Sequence, residues 1–465
     1  YLFYGLSFLL FGASLKMVHV LTALWIYLGA VFLVRLVSLT LSQTHAAFAG
    51  FLFIIFTSSF VDTEIFASNC EILMLTPLIM GVYFLFADQQ AGEGGGVWAN
   101  YFLAGLFTAG GFLFKHQGGI NLVVLFLYFI IVRFSGRFNS KKYYWSDYVA
   151  LLSGFIFPLL VVVAIYLKLG RIRELYEWNI LFNFSYVGSR GSIESVLSMA
   201  LLKTIGFGLA TLLPSVLALS LLLHPSQWFK KQDQATTRLI LFSVLWLLLS
   251  FIPVAMGGRF YGHYYIQLYP PLILLAAIAG GDFILRFARY PYKYRILFVL
   301  GIVTPMILFQ VVAICRRQMQ AFDGVKNYHQ EIAQMIKTHS SDKDSIFVWG
   351  NYAQAYYFSQ RLPASRFVIG EYVVPYWNKF FKHETGFDFN ELTTTENAEL
   401  NLLAADLNLS RPALIIDTST SGLFSHFGPF QLNRLPPLWA LIEQNYHPII
   451  NVLGLTFYKR NEIQI

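Results

Sequence analysis

The chain has 465 residues, of which 56% are hydrophobic, 17% aromatic and only 12% charged, and its formal net charge is +8. A soluble domain carries about 25% charged residues, so this composition excludes a wholly soluble protein and indicates a polytopic membrane protein. Most basic residues fall in short loops between apolar segments, as the positive-inside rule predicts, so the charge gives no reason to expect a nucleic-acid partner. Cys70 and Cys315 lie at the ends of different apolar segments, so we expect neither a disulfide nor a metal cluster.

Ten apolar segments approach the length of about 20 residues that a helix needs to span a membrane. They are residues 17–42, 46–61, 71–87, 98–114, 117–133, 147–168, 195–224, 237–256, 264–285 and 296–315. We therefore predict a mostly α-helical transmembrane bundle over residues 1–315. Residues 1–13 are apolar but short, which indicates a truncated span or an interfacial helix. Because the sequence opens inside an apolar segment with Tyr rather than Met, we expect its natural N-terminus to be missing.

Residues 316–465 have a different pattern, in which short apolar runs alternate with segments of helical spacing. We predict strands at 345–350, 413–418 and 452–459, and helices at 318–339, 394–407 and 438–446. Strands that alternate with helices are typical of an α/β domain. The sequence therefore predicts a second, soluble α/β domain over residues 316–465.

The loops rich in Lys and Arg, at 133–142, 230–238 and 286–295, alternate along the chain with loops that are not. By the positive-inside rule the basic loops are cytoplasmic, which places residues 62–70, 115–116, 170–194, 257–263 and the soluble domain outside. We expect an integral protein of a bacterial inner membrane with its C-terminal domain on the extracytoplasmic side. The polar candidates then share one face, as in an active site above a helical bundle that a lipid substrate enters from the bilayer.

The turn at 257–271 (Gly-Gly-Arg-Phe-Tyr-Gly-His-Tyr-Tyr-Ile-Gln-Leu-Tyr-Pro-Pro) concentrates polar and aromatic side chains between two apolar segments. Arg259 and His263 can donate hydrogen bonds to an anion at the height of lipid headgroups, which predicts a phosphate site. The alternative is interfacial anchoring, in which Tyr264 and its neighbours form an aromatic belt.

Two further outside segments carry charged side chains. Asp62 and Glu71 bracket one loop, and either carboxylate can orient an acceptor hydroxyl or take its proton, although a carboxylate is also stabilised simply by a helix start. Lys115 and His116 close two spans with almost no loop between them. Lys115 is expected to bind a lipid phosphate or, alternatively, to snorkel to the membrane surface.

The long loop at 170–194 combines aromatic, amide and Arg side chains. Trp178 and Asn179 suit stacking on a sugar ring and hydrogen bonding to its hydroxyls. The same residues also suit an interfacial helix, so both interpretations remain open at this point.

Four stretches carry a resemblance to a known family. They are residues 1–12, 67–77 (Ala-Ser-Asn-Cys-Glu-Ile-Leu-Met-Leu-Thr-Pro), 112–118 (Phe-Leu-Phe-Lys-His-Gln-Gly) and 259–271 (Arg-Phe, then His-Tyr, then Pro-Pro). In their order and common sidedness they resemble the polytopic glycosyltransferases of the GT-C class. The likeness is to the family 39-like group, which includes protein O-mannosyltransferases and the bacterial aminoarabinose transferase that acts on lipid A.

The resemblance implies inverting transfer of a sugar from a polyprenyl-phosphate donor to an acceptor hydroxyl on the outer face. The acceptor is a glycolipid, a polysaccharide or a protein. The resemblance implies no cofactor and no obligatory metal. It also places the main catalytic Asp in a loop upstream of Tyr1, so Glu71 or Asp62 is expected to be its acidic partner.

We assign the remaining candidates to two kinds of site. Those expected to bind the donor phosphate are Lys115, His116, Arg259 and His263, and those expected to bind the sugar or acceptor are Asn69, Tyr264, Trp178 and Asn179. The competing interpretation is a transporter or flippase of a polyprenyl-linked glycan. A transporter needs polar groups near mid-membrane, and the predicted spans carry almost no charge at their centres, so the sequence favours the transferase.

Overall fold

The computed structural model describes residues 2–58, 68–90, 97–135, 145–184, 192–223, 234–298, 328–374, 394–421, 427–428 and 430–461, together with the isolated positions 300, 304, 308, 311 and 315. Two compact units emerge, one formed by Tyr1–Val187 and Ile193–Arg316 and the other mainly by Arg317–Ile465. The first unit is helical, and the second holds a small sheet.

The first unit is built from thirteen described helices. They are α1 (Leu2–Phe11), α2 (Leu15–Ser38), α3 (Gln43–Ser58), α4 (Cys70–Gln90), α5 (Val97–Phe114), α6 (Ile120–Phe134), α7 (Trp145–Lys168), α8 (Ile172–Tyr176), α9 (Ile193–Ala210), α10 (Leu212–Leu223), α11 (Gln234–Ala255), α12 (Tyr269–Phe287) and α13 (Tyr292–Phe298). Short single-turn segments, His116–Gly119 and Gly262–Leu268, precede α6 and α12.

Seven of the described helical segments are long and apolar enough to cross a membrane, and four more are apolar but shorter. The seven begin at Leu15, Cys70, His116, Trp145, Ile193, Gln234 and Gly262. The span predicted at 195–224 is two helices, α9 and α10, which meet at Thr211. The span predicted at 296–315 lies largely outside the described residues.

The centre of the bundle is formed by α4 and α12. α4 packs against α2 and α5, and α12 packs against α3, α10 and α11. In each case 78% of the span is buried, against 6% for α9, so α9 presents its apolar side chains outward. A helix that is apolar all round is suited to such a central position. α5 and α7 also pack closely, because a Cβ on Gly105 would lie 2.0 Å from the carbonyl oxygen of Leu151.

At one end of the bundle a polar contact joins α3 to α12. The buried imidazole of His45 lies with Nε2 3.2 Å from Asp282 Oδ1 and Nδ1 2.7 Å from Ser42 Oγ. A Cβ on Gly281 would lie 2.2 Å from the same ring, so the small residue is what lets the two helices approach. The candidate site described below lies at the other end, where α4 begins and α5 ends.

The second unit contains a five-stranded sheet of order β2-β1-β3-β5-β4, with helices α14 (Tyr328–His339), α15 (Gln354–Ser359), α16 (Thr394–Ser410) and α17 (Pro436–Asn445). The strands are β1 (Ser345–Trp349), β2 (Leu362–Pro363), β3 (Leu414–Asp417), β4 (Tyr446–Val452) and β5 (Leu455–Arg460). β2, β1 and β3 are parallel, whereas β5 runs antiparallel to β3 and pairs with β4. The predicted strands at 345–350 and 413–418 are confirmed, as are the helices at 394–407 and 438–446 within a few residues.

The C-terminal end of the chain differs from the sequence prediction. A single strand was expected at 452–459, but the structure has a hairpin of β4 and β5. Leu453 and Gly454 form the two-residue loop, and both have positive φ, +54° and +82°. This is the backbone conformation that a tight hairpin turn requires. Tyr446, which was predicted to end a helix, begins β4 instead.

An ion pair joins the loop after β2 to α16. Arg366 donates from Nε and Nη2 to the two carboxylate oxygens of Asp406, at 3.0 and 2.9 Å, and Ser365 Oγ donates to Asp406 Oδ2 at 2.9 Å. Partial burial raises the pKa of Asp406, but these hydrogen bonds outweigh it and hold the pKa below its usual value. The carboxylate therefore contributes to stability in its ionised form.

Candidate active site

Glu71 lies at the start of α4 and is 3% exposed. The side-chain oxygen of Asn69 accepts a hydrogen bond from the backbone N–H of Ile72, at 3.2 Å, as an N-capping residue does. The exposed N–H groups and the helix dipole at this end favour a negative charge. The local sequence thus places a carboxylate where it is stabilised, and Asn69, predicted to bind substrate, uses its amide oxygen to begin the helix.

Lys115 follows the last residue of α5 in an extended conformation, and the turn His116–Gly119 then leads into α6. The turn packs tightly on the end of α5, since a Cβ on Gly118 would lie 2.8 Å from the backbone carbonyl of Gly111. The Lys115 ammonium donates a hydrogen bond to Glu71 Oε1 and also lies 4.7 Å from the centroid of the Tyr264 ring. Its charge is therefore balanced by a carboxylate and by an aromatic face.

His263 approaches the same carboxylate from the turn between α11 and α12. Its Nε2 lies 3.4 Å from Glu71 Oε1. The imidazole packs edge-on against Tyr264, with ring centroids 4.7 Å apart, and stacks on Tyr261 at 5.5 Å. Gly257 and Gly258 both have positive φ, +87° and +67°, which is why glycines begin this turn. We call Glu71, Lys115, His263 and Tyr264 the Glu71 cluster.

Arg259 occupies the same turn and is 4% exposed. A guanidinium is always charged, so Arg259 adds a buried positive charge to the turn that carries His263. His116 directs its ring onto Phe112, with centroids 5.1 Å apart. The structure thus brings Glu71, Lys115, His263 and Tyr264 into contact, while His116 and Arg259 lie on the two turns that carry Lys115 and His263.

Gln117 was missed by the sequence analysis. Its Nε2 donates to the backbone carbonyl of Pro253, near the end of α11, at 3.3 Å, so it ties the Lys115 turn to the helix that precedes Arg259. Its Oε1 is buried and, within the described part of the chain, has no hydrogen-bond donor. The sequence did contain an indication of this role, because Gln117 is an amide residue that directly follows Lys115 and His116 in a turn between two spans.

The other predicted candidates lie elsewhere. Trp178 and Asn179 belong to the single turn Glu177–Leu181 after α8, where Trp178 packs against Phe182 and the Asn179 carbonyl accepts from Asn183. These contacts are within the same segment, so their role in substrate binding stays a prediction. Asp62 lies outside the described residues. Within the described ranges, no three or more His, Cys, Asp or Glu side chains are grouped as a metal site would require.

Chemically, the Glu71 cluster is a buried carboxylate whose one oxygen is shared by an ammonium and an imidazole. Removing charges from water is costly, so a buried carboxylate persists when it is paired. The Lys115 side chain is 28% exposed, and an ammonium has three N–H donors. It can therefore donate to an incoming anion without leaving Glu71. Such an arrangement can bind a phosphate and an acceptor hydroxyl side by side.

Comparison with known proteins identifies the fold. The family model for dolichyl-phosphate-mannose-protein mannosyltransferase matches residues 1–165, a stretch that includes Glu71 and Lys115. ArnT from Cupriavidus metallidurans, solved bound to undecaprenyl phosphate, is similar in structure over 97% of this chain and 85% of that one, with a TM-score of 0.56 and 12% identity. The chain has the fold of the GT-C glycosyltransferases. The resemblance seen in the sequence is therefore confirmed.

Oligosaccharyltransferases of Archaeoglobus fulgidus share the GT-C fold as well. The apo form gives a TM-score of 0.53 at 12% identity, over 99% of this chain and 66% of that one. The archaeal AglB, solved with an inhibitory peptide and a dolichol-phosphate, gives 0.51 at 11% identity, over 99% and 65% of the two chains. The chain thus spans slightly less than two thirds of the archaeal enzymes. A search of curated protein sequences found no match.

Proposed function

We propose that this protein is a membrane glycosyltransferase that moves a sugar from a polyprenyl-phosphate donor to an acceptor hydroxyl on the outer face of the membrane, with inversion. The observation that carries the proposal is the convergence of Lys115 and His263 on Glu71 at one end of a GT-C fold. Two proteins of this fold, ArnT and AglB, were solved with polyprenyl phosphates, which supports a lipid-linked donor here.

Each residue has a defined part in the proposed reaction. The acceptor oxygen attacks the anomeric carbon, and the polyprenyl phosphate leaves as an anion. Lys115, Arg259 and His263 stabilise the charge that develops on the leaving phosphate, and donors placed for such a charge are worth most in a site that excludes water. Glu71 orients the acceptor hydroxyl or accepts its proton. Because Lys115 and Arg259 can neutralise the phosphate, a metal is not obligatory for this step.

The polar side chains in the helix interiors favour catalysis over transport. Several buried hydroxyls there donate to the backbone of their own helix, as Thr108 does to the Ala104 carbonyl at 2.7 Å and Ser243 to the Leu239 carbonyl at 2.8 Å. Side chains satisfied in this way are not available to a polar substrate that passes through the bundle. The charged groups of the Glu71 cluster lie at one end instead.

The test is sugar transfer by the full-length protein in proteoliposomes, with a radiolabelled polyprenyl-phosphate sugar and a lipid-extract acceptor. Lys115→Ala and Arg259→Ala should each lower kcat/KM by about 10²- to 10³-fold, the usual effect of removing one donor to a developing anion. The matched controls are Lys168→Ala, at the end of α7, and Arg289→Ala, in the turn after α12, which each remove an exposed charge. Full activity in both site variants would contradict the phosphate assignment. Movement of the labelled lipid across the bilayer without any transfer would favour a flippase.

A further inference from the structure

Ser68, three residues before Glu71, has an unusual backbone conformation. Its φ is +49°, in the left-handed region, and the residue is 3% exposed. A residue with a Cβ adopts this region at a cost and persists there when its surroundings fix it. Nothing in the sequence marks the position, because serine has no preference for positive φ comparable to that of glycine or asparagine.

Two contacts from distant parts of the chain fix Ser68. The hydroxyl of Tyr4, in α1, donates to the Ser68 carbonyl oxygen, and His19 Nδ1, in α2, lies 3.0 Å from Ser68 Oγ. Helix α1 is itself held beside the site, because the Phe3 ring contacts both Trp25 and Phe114, with centroids 5.9 and 6.3 Å away. Phe114 directly precedes Lys115. The same set of contacts therefore reaches both partners of the ion pair.

The direction of the chain at Ser68 decides where α4 begins. Asn69 caps the helix immediately afterwards, and Glu71 lies in its first turn, facing Lys115 and His263. Trp25 adds a second link, because its indole N–H donates to the Leu73 carbonyl at 2.8 Å. Were Ser68 to relax to an extended conformation, the first turn of α4 would have to rotate or unwind, and the Glu71 carboxylate would move from its partners.

We propose that Ser68 is a positioning residue for the reaction, and that Tyr4 and His19 hold it in the left-handed conformation that aims Glu71 at Lys115 and His263. This inference rests on the proposed function of Glu71. It adds three residues that neither their type nor their spacing marks as functional. None of them needs to touch substrate, so each acts on the turnover rate through Glu71 rather than on donor affinity.

The decisive comparison is Ser68→Ala against Ser68→Gly, measured as kcat and donor KM in the full-length protein. Ser68→Ala removes the contact with His19 but keeps the Cβ, so the left-handed conformation is no longer held in place. Its cost corresponds to about a tenfold change in population, so kcat should fall by about tenfold, while donor KM should change less than twofold. Ser68→Gly also removes the hydroxyl, but glycine adopts positive φ freely, so kcat should return to within about threefold of wild type. If the hydroxyl acted by itself, glycine would be no better than alanine, and that result would overturn the proposal.

The residues that hold Ser68 provide an independent pair of variants. His19→Asn places an amide close to the position of Nδ1 and should keep kcat, whereas His19→Phe keeps a ring without the hydrogen bond and should lower it, as should Tyr4→Phe. Wild-type kcat in both phenylalanine variants would refute the inference. Glu71→Gln is measured in the same assay to separate this inference from the proposed function. If Glu71→Gln is inactive while Ser68→Ala, His19→Phe and Tyr4→Phe are all fully active, this inference is wrong and the proposed function stands. Full activity of Glu71→Gln would overturn the proposed function as well.

Discussion

The ion pair between Lys115 and Glu71 should respond unequally to loss of its two members. Glu71's side chain is 4% exposed, and Lys115's is 28% exposed. Lys115→Met leaves a buried carboxylate with only His263, 3.4 Å away, among the cluster residues to compensate it. Breaking a buried pair in this way costs about 3–5 kcal/mol. We expect a value of about 3 kcal/mol, because the imidazole can still donate to the carboxylate.

Glu71→Gln should cost less. The Lys115 ammonium then keeps water on its exposed side and the face of Tyr264, 4.7 Å away, on the other. The loss is that of one charge-assisted hydrogen bond with the donor still solvated, about 1 kcal/mol. In the double variant Glu71→Gln/Lys115→Met no buried charge is left uncompensated. Its loss should therefore be about 1–2 kcal/mol, less than the roughly 4 kcal/mol sum of the single variants.

The measurement is thermal unfolding of the full-length protein in detergent. At about 2 °C per kcal/mol for a chain unit of this size, Lys115→Met should lower Tm by about 6 °C and Glu71→Gln by about 2 °C. Lys168→Met is the matched control, since the same change is made on an exposed side chain at the end of α7, and its Tm should be unchanged. A larger loss in Glu71→Gln than in Lys115→Met, or additive losses in the double variant, would refute this account of the pair.

Three more outcomes follow from the same structure. Gly118→Ala should destabilise the protein and lower sugar transfer at least tenfold, because the new Cβ would lie 2.8 Å from the backbone of α5. The control is Gly206→Ala, whose Cβ meets nothing within 4 Å, so it should leave sugar transfer unchanged and leave Tm unchanged or raise it. Equal effects of the two variants would argue against a rigid Lys115 turn. The lowered pKa of Asp406 gives stability that is present above the pKa of the unfolded state and is lost as pH falls through the folded pKa. Asp406→Asn should therefore be destabilising at pH 7, and hydrogen exchange of the second unit should show this difference from wild type shrinking as the pH is lowered through the folded pKa. A difference that does not depend on pH would contradict this. Trp178→Ala and Asn179→Ala should raise the acceptor KM without changing Tm, and an unchanged KM in both would remove them from the substrate site.

Much of the fold was predictable because its signals are local. Span length and loop charge define the bundle, and short apolar runs ended by turn residues located β1 and β3 to within a residue. The hairpin of β4 and β5 was missed because its loop is Leu453-Gly454 rather than a residue pair that favours two positive φ angles. The split of 195–224 at Thr211 was missed because the segment is apolar throughout, and hydropathy does not report where a helix is interrupted.

The candidate site was predictable to a lesser degree. Alternating sidedness predicted that Glu71, Lys115 and His263 share one end of the bundle, and the structure brings them into contact. Sequence could not indicate that one carboxylate oxygen contacts both Lys115 and His263, since that depends on how α4, the end of α5 and the turn before α12 pack. The positive φ of Ser68 was invisible for the same reason, because it is imposed by contacts from residues 64 and 49 positions away.

The most direct test of the central claim is whether the Lys115 side chain is needed to hold a polyprenyl phosphate. Native mass spectrometry of the purified full-length protein with undecaprenyl phosphate would measure this without requiring the sugar or the acceptor to be known. The account predicts a bound lipid phosphate in the wild-type protein and in Lys168→Met, and at least a tenfold weaker complex in Lys115→Met. Equal binding in all three proteins, or none in any of them, would contradict a lipid-phosphate site at the Glu71 cluster.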